Sequence, residues 1–356
     1  MPIGRKRGTK LMRVGIIGAG FWTRFQIAGW LELPNVEIVS IANRTVEKAQ
    51  RLADQFGIRM VYGDASEMLA AEDLDCVDII TGVEGHATAV RMAADRGVAV
   101  ICQKPMATSL DEAQSMVEVC DRHSIPFLVH ENWRYQAPIQ AVARELKSGT
   151  IGEAFRARIQ FSCSFPVFDN QPALKQLSQF ILTDIGSHIL DVSRFLFGEA
   201  RDLKCRTARI TPGIAGEDVA TVVMRMDRCP MVICEMSYAS RFFDEVYPET
   251  YLVIEGSKGS IELRKRKQLL VTTAMGTTQS TVTPESYAWM DPQYDLVHSS
   301  IVECNRALFK ALKDMSKAET SGADNLKTVR LVFGSYESAA KDETLRFDSN
   351  SGRGSI

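Results

Sequence analysis

No apolar run in this 356-residue chain is long enough to cross a bilayer. Nor does charge of one sign dominate. Lys and Arg number 42 against 44 Asp and Glu, and a net charge of -2 gives no general pull toward nucleic acid or an anionic membrane. The one local excess, Arg5, Lys6, Arg7 and Lys10, reads as a frayed terminus. The apolar stretch from Leu11 to Ile17 ends in a glycine turn instead of a small-residue cleavage site, so no signal peptide is expected. Eight cysteines are present without a single Cys-x-x-Cys pair, and most sit in apolar, strand-like surroundings. They read as reduced core residues of a cytoplasmic protein, with no disulfide framework. Internal repeats and low-complexity linkers are also missing, which excludes a repeat array.

What remains is an ordinary globular composition, 45% hydrophobic and 24% charged, at a length beyond what one core usually fills. Two domains are expected. From residue 11 to about 130, short β-branched runs such as Arg13 to Ile17, Val36 to Ala42, Val77 to Ile80, Val98 to Ile101 and Pro126 to Val129 alternate with helical segments at Val46 to Phe56, Ala87 to Arg96 and Leu110 to Arg122. That alternation predicts an α/β, doubly wound parallel sheet with helices on both faces. Beyond about residue 150 the strands lengthen and take period two, at Glu153 to Phe165, Asp202 to Thr211, Val219 to Met226, Met231 to Tyr238 and Tyr251 to Leu263. This predicts an α+β domain on a large, mostly antiparallel sheet, with Gly256 to Gly259 as a hairpin turn and two closing helices at His298 to Met315 and Leu326 to Lys341. The expected boundaries are 1–133 for the first domain, 134–345 for the second and 346–356 for a flexible tail.

The turn Gly18-Ala19-Gly20 follows the first strand and opens a helix at Phe21 and Trp22. In that setting Gly18 permits the tight turn, Gly20 lets backbone approach a pyrophosphate, and the helix N-terminus offers amide donors, so a nicotinamide dinucleotide is the expected cofactor. Thr23 stands where a third glycine is usual. At the end of the second strand, Asn43 and Arg44 replace the acidic residue that holds ribose hydroxyls in NAD enzymes. Asn43 can bond a hydroxyl or a phosphate oxygen, and Arg44 can stack on adenine or pair with a 2′-phosphate. The pair tilts toward tolerance of NADP without excluding NAD.

Gln103-Lys104-Pro105 follows the strand ending at Cys102, Thr81-Gly82-Val83-Glu84-Gly85-His86 follows the fourth strand, and Asp184-Ile185-Gly186-Ser187-His188-Ile189-Leu190-Asp191 has an Asp-x-Gly-x-His-x-x-Asp pattern. With the glycine-rich turn in Glu255 to Ile261, these stretches resemble the Gfo/Idh/MocA family of sugar and cyclitol oxidoreductases, from Arg13 to about Lys341. The resemblance implies an N-terminal Rossmann domain and hydride transfer between NAD(P) and a sugar hydroxyl or carbonyl. Thr81, His86, Gln103 and Lys104 then lie toward the cofactor. The family usually reads Glu-Lys-Pro, so Gln103 removes a negative charge beside Lys104 while keeping an amide that can bond the nicotinamide ribose. It also implies a homo-oligomer through the C-terminal sheet.

Oxidising an alcohol needs a base within hydrogen-bond reach of the hydroxyl as hydride leaves the same carbon. Lys104, at the C-terminal edge of the parallel sheet, stands where ligands bind such folds. Asp184, His188 and Asp191 recur at i, i+4 and i+7, one face of a helix if it starts that early. By resemblance His188 is the second acid/base or hydroxyl anchor, Asp184 orients substrate or tunes His188, and Asp191 is structural. Asn132 and Trp133 are expected to meet a polyol through paired donors and an aromatic face, with Arg134 as a weaker contact or a brace. The preferred substrate is an aldose oxidised at its anomeric hydroxyl, a pentose such as apiose being one choice. A cyclitol dehydrogenase, a keto-sugar reductase and a non-catalytic dinucleotide-binding regulator are the alternatives. A divalent metal at Asp184, His188 and Asp191 with His130 or Glu131 would leave the glycine turn and Lys104 without a role, so no metal is expected.

Overall fold

The computed structural model describes residues 11–347; the basic start and the stretch from 348 onward lie outside them. Two compact units emerge. One runs to His130 and takes in Cys304–Asp324, while the other comprises Glu131–Glu303 and resumes at Asn325. The division falls three residues before the expected boundary at 133. The assignment of 304–324 to the first unit was not foreseen, and its physical basis is a backbone link: Val129 N–H donates to the Thr320 carbonyl at 2.8 Å, and Leu128 bridges Ser321.

In the first unit β1 (Met12–Ile17), α1 (Thr23–Leu31), β2 (Val36–Ala42), α2 (Val46–Phe56), β3 (Met60–Tyr62), α3 (Ala65–Ala71), β4 (Cys76–Ile79), α4 (His86–Asp95), β5 (Ala99–Gln103), α5 (Leu110–Arg122) and β6 (Phe127–His130) alternate. Among the described residues the sheet has six parallel strands in the order β3-β2-β1-β4-β5-β6. Strand order reverses between β1 and β4, the point at which such sheets bind ligands outside their C-terminal ends. The helices start and stop for local reasons. Asp64 accepts the amides of Ser66 and Glu67 to open α3, Ser109 accepts Glu112 N–H to open α5, and Gly57 in the left-handed region closes α2. The strand interiors Val14, Ile16, Val77, Ile79, Val100 and Ile101 are fully buried, as a parallel sheet covered on both faces requires.

The second unit holds α6 (Ala137–Ser148), β7 (Ala154–Ser162), the short α7 (Val167–Asn170), a π-turn at Leu182–Gly186, α8 (Ser187–Phe197), β8 (Ala200–Ala208), β9 (Val219–Met226), β10 (Cys229–Ser237), β11 (Tyr251–Gly256), β12 (Gly259–Arg264), β13 (Gln268–Thr273) and β14 (Gly276–Thr281). It ends with α10 (Gly322–Lys341), of which Asn325 onward belongs to this unit, and β15 (Leu345–Arg346); α9 (Asp295–Asp314) begins here and finishes in the first unit. The nine strands among the described residues run β14-β13-β12-β11-β7-β10-β9-β8-β15, every neighbouring pair antiparallel except β10 with β7. Alternate residues Ala157, Ile159, Phe161, Val222, Met224, Cys234 and Ile254 bury one face against Ile189, Leu190 and Val192 of α8. Arg346 and Phe347, expected in a flexible tail, are held in place, because β15 pairs with β8 and Phe347 N–H reaches the Arg201 carbonyl; the rest of the expected tail lies outside the described residues.

All eight cysteines are buried and unbridged. No helix of the described residues is long and apolar enough to cross a membrane.

Candidate active site

The glycine turn sits between β1 and α1. Gly18 has φ +115°, and a side chain there would place its Cβ 2.5 Å from the Ile80 carbonyl oxygen, so only glycine fits. A Cβ on Gly20 would meet nothing within 4 Å, leaving open space in front of the turn. Thr23 does more than replace the third glycine. Its hydroxyl accepts Gly20 N–H at 3.0 Å and donates to the Gly18 carbonyl at 3.3 Å, closing the turn from inside. Asn43 closes it from the other side, accepting Ala19 N–H at 3.1 Å and donating to the Thr45 carbonyl at 2.8 Å. Phe21 and Trp22 head the helix, Phe21 being 55% exposed, and Arg44 is exposed just after β2. An open glycine turn at a helix start, at the strand-order reversal, fits a dinucleotide pyrophosphate.

Lys104 leaves the end of β5 and is half-buried. The loop that carries it is held by His86, a buried imidazole whose Nδ1 lies 3.1 Å from the Pro105 carbonyl and 3.3 Å from that of Met106, with Nε2 3.3 Å from the Thr81 carbonyl. Burial pushes the His86 pKa down. His86, expected beside the nicotinamide, therefore spends its ring nitrogens on the loops of Thr81 and Lys104. Gln103 is buried next to Asp78, a carboxyl in the middle of β4 that also accepts the Trp30 indole N–H at 2.8 Å. Burial raises the Asp78 pKa to about 6.

In the second unit the Asp-x-Gly-x-His-x-x-Asp stretch does not form one uniform helix. Leu182–Gly186 is a π-turn and α8 starts at Ser187, so Asp184 lies before the α-helical face on which His188 and Asp191 were placed with it. Each acid has its own partner. Tyr238 donates its hydroxyl to Asp184 at 3.2 Å, and burial, reinforced by the Asp184 charge, holds the Tyr238 phenol well above its usual range. Asp191 pairs with Arg134 through two bonds of 2.8 and 2.5 Å and accepts Thr328 Oγ1 at 3.1 Å. His188 Nδ1 is hydrogen-bonded to the Glu131 carboxylate, and Trp133 stacks on the imidazole at 4.4 Å and 3°. A Cβ added to Gly186 would lie 3.4 Å from the Leu182 and Met236 side chains, an ordinary contact.

These contacts bear on three expectations. Arg134, expected as a weaker substrate contact or a brace, is buried and binds the Asp191 carboxylate through Nε and one terminal nitrogen. The indole face of Trp133 expected to meet a sugar carries His188 instead. Asn132 is 4% exposed and its amide donates to Ser300 Oγ at 2.8 Å. The bond of Glu131, read from sequence only as an alternative metal ligand, to His188 was not legible there. Nor was the role of Glu217: its carboxylate accepts the amides of Phe180 and Leu182 and the Tyr336 hydroxyl, capping the segment that leads into the Asp184 turn. No group of three or more His, Cys, Asp or Glu among the described residues is arranged to hold a metal ion.

Comparison with known proteins agrees with both halves. Residues 12–131 match the model of an oxidoreductase family with an NAD-binding Rossmann fold, and residues 139–262 match the GFO/IDH/MocA C-terminal domain. The chain is 39% identical to a D-apiose dehydrogenase of Paraburkholderia graminis over 96% of its length and 91% of that protein. It is 40% identical to a D-apiose dehydrogenase of Rhizobium rhizogenes over 94% of its length and 97% of that protein. Among solved structures, an oxidoreductase from Agrobacterium radiobacter in complex with NAD+, L-tartaric acid and magnesium superposes with a TM-score of 0.92 at 40% identity, covering 94% of this chain and 98% of that one. With its parallel cofactor-binding sheet, its Lys104 loop and its Asp184–His188 turn, the chain belongs to the Gfo/Idh/MocA family of NAD-binding oxidoreductases.

Proposed function

We propose that this chain is an NAD-dependent aldose 1-dehydrogenase acting on D-apiose, with Lys104 and His188 as its acid/base groups. One observation carries the reading: two D-apiose dehydrogenases are similar to the chain at 39% and 40% identity along nearly its whole length. When bound, NAD would supply the hydride acceptor in its nicotinamide ring. Gly18, Ala19, Gly20, Phe21 and Trp22 would hold its pyrophosphate, Asn43 and Arg44 would border the adenosine, and Thr81 and Gln103 would lie toward the nicotinamide. His86 fixes the loop that delivers Lys104. The hydroxyl at C1 gives its proton to one of the acid/base groups, Lys104 or His188, as its oxygen becomes the carbonyl of a lactone, and Asp184, held by Tyr238, anchors a neighbouring hydroxyl.

Replacement of Lys104 by Ala tests this assignment. Turnover should fall by roughly 10²- to 10⁴-fold, the range for loss of a positioned acid/base group, while NADH binding measured by fluorescence stays near that of the parent. Near-normal turnover would remove Lys104 from the reaction.

The same reading includes a homo-oligomer through the open face of the second sheet. Val223, Met231 and Val253 are exposed on strands whose alternate residues are buried, and cross-strand pairs such as Arg156–Glu255 and Arg225–Asp202 flank them. Light scattering of the purified chain decides it, a monomer being the contrary result. A cytoplasmic location is supported by eight unbridged, buried thiols.

A further inference from the structure

Glu131 follows β6 directly, and the sequence offered it only as an alternative metal ligand. Its carboxylate binds His188 Nδ1, and both side chains are buried, Glu131 at 0% and His188 at 5% exposure. The imidazole is fixed in a second direction by Trp133, parallel to it at 4.4 Å, and Trp133 in turn packs on Phe161 at 5.4 Å. Ring position and ring rotation are thus set by two residues of one short segment.

The two nitrogens of a histidine are chemically distinct, and the bond made by one decides which carries the proton. An ionised carboxylate only accepts, so Nδ1 must donate to Glu131 and Nε2 keeps its lone pair. Arg134 is matched by Asp191, and Arg194 by Glu199, with bonds of 2.9 and 3.0 Å. The Glu131 charge works against ionisation of Asp191. A buried carboxylate is costly unless something cationic accompanies it. The imidazolium that His188 becomes on accepting a proton at Nε2 supplies that cation.

We propose that Glu131 is a positioning residue of the reaction, fixing His188 in the Nδ1–H tautomer so that Nε2 accepts the proton of the sugar hydroxyl. The inference rests on the reading of His188 as an acid/base group. In the step itself the O–H bond breaks as the Nε2–H bond forms, the hydride leaves C1 for the oxidised nicotinamide, and Glu131 stays ionised and stabilises the imidazolium. Trp133 holds the ring plane but takes no proton.

The test uses the full chain with D-apiose and NAD, in three variants beside the parent. Glu131→Gln should lower kcat by roughly 10²- to 10⁴-fold with the KM for the sugar and the affinity for NADH changed by less than about threefold, because an amide can hold either tautomer. Glu131→Asp, which keeps the carboxylate, should recover at least part of that loss. The imidazole 15N shifts of histidine-labelled parent protein, with His188→Asn to assign the signal, should report an Nδ1–H tautomer. An Nε2–H tautomer in the parent, or a Glu131→Gln variant with unchanged kcat, overturns the proposal. The parent spectrum decides even if Glu131→Gln does not fold. Full turnover in His188→Asn would instead overturn the underlying role of His188.

Discussion

Asp78 gives the sharpest quantitative test of how the first unit is built. It is fully buried in the centre of β4, its Oδ2 takes the Trp30 indole N–H, and the amides of Gln26 and Gln103 border it. The Gln26 and Gln103 amides and the Trp30 indole favour the ionised carboxyl, but the cost of burial outweighs them. Burial raises its pKa from 3.8 to about 6. Because the folded value lies above the unfolded one, the protonated form favours folding; the stability it brings is complete below the unfolded value and is lost as pH rises through about 6. About two pKa units correspond to a penalty of about 3 kcal/mol at neutral pH and above, falling to about 1 kcal/mol near pH 4.5. Asp78→Asn keeps an acceptor for Trp30, supplies an N–H for Gln26 and does not titrate. Urea unfolding followed by tryptophan fluorescence at about pH 4.5 and about pH 7.5 should show the variant gaining about 2 kcal/mol on the parent across that interval. A difference between the two proteins that does not change with pH, or that shrinks as pH rises, refutes the reasoning.

Other consequences follow from single contacts. Arg134→Leu strands the Asp191 carboxylate in the core beside Glu131 and should destabilise the second unit by about 3–5 kcal/mol; a folded variant whose only change is a higher sugar KM would restore Arg134 as a substrate contact. Arg44→Ala should raise the KM for NADP by roughly tenfold or more and that for NAD by much less, since a charge-assisted bond to a 2′-phosphate is lost in one cofactor only. Steady-state kinetics with both cofactors check it, and equal effects would remove Arg44 from cofactor discrimination. Gly18→Ala should abolish NADH binding or folding, because a Cβ would sit 2.5 Å from the Ile80 carbonyl oxygen at a φ of +115°; normal binding in a fluorescence titration contradicts it.

Much of the architecture was legible because hydrophobic period and caps agree locally. The expected α2 and α5 match the observed helices residue for residue, since a helical stripe and a defined end coincide at Gly57 and Ser109. β14 was not legible: Gly276–Thr281 is exposed throughout and pairs with a single neighbour, so no alternation betrays it. The return of 304–324 to the first unit rests on backbone pairing across a large sequence separation, which no local pattern encodes. At the site, residue types announced Lys104, Asp184 and His188, but not their partners. Glu131 and His188 are 57 positions apart, and the π-turn at 182–186 that turns Asp184 toward Tyr238 has no period to read. Asp78 did leave a trace, a lone acid inside the apolar run Val77 to Ile80.

The central claim is that this chain oxidises an aldose at C1 with NAD. It is tested most directly by incubating the purified protein with NAD or NADP and a panel of aldoses, cyclitols and keto-sugars, and following the absorbance of the reduced nicotinamide. The account predicts the highest kcat/KM for D-apiose with NAD, and a lactone as the product. Reduction of NAD by a cyclitol but by no aldose, or no oxidation of any sugar by a protein that binds NADH, would contradict it.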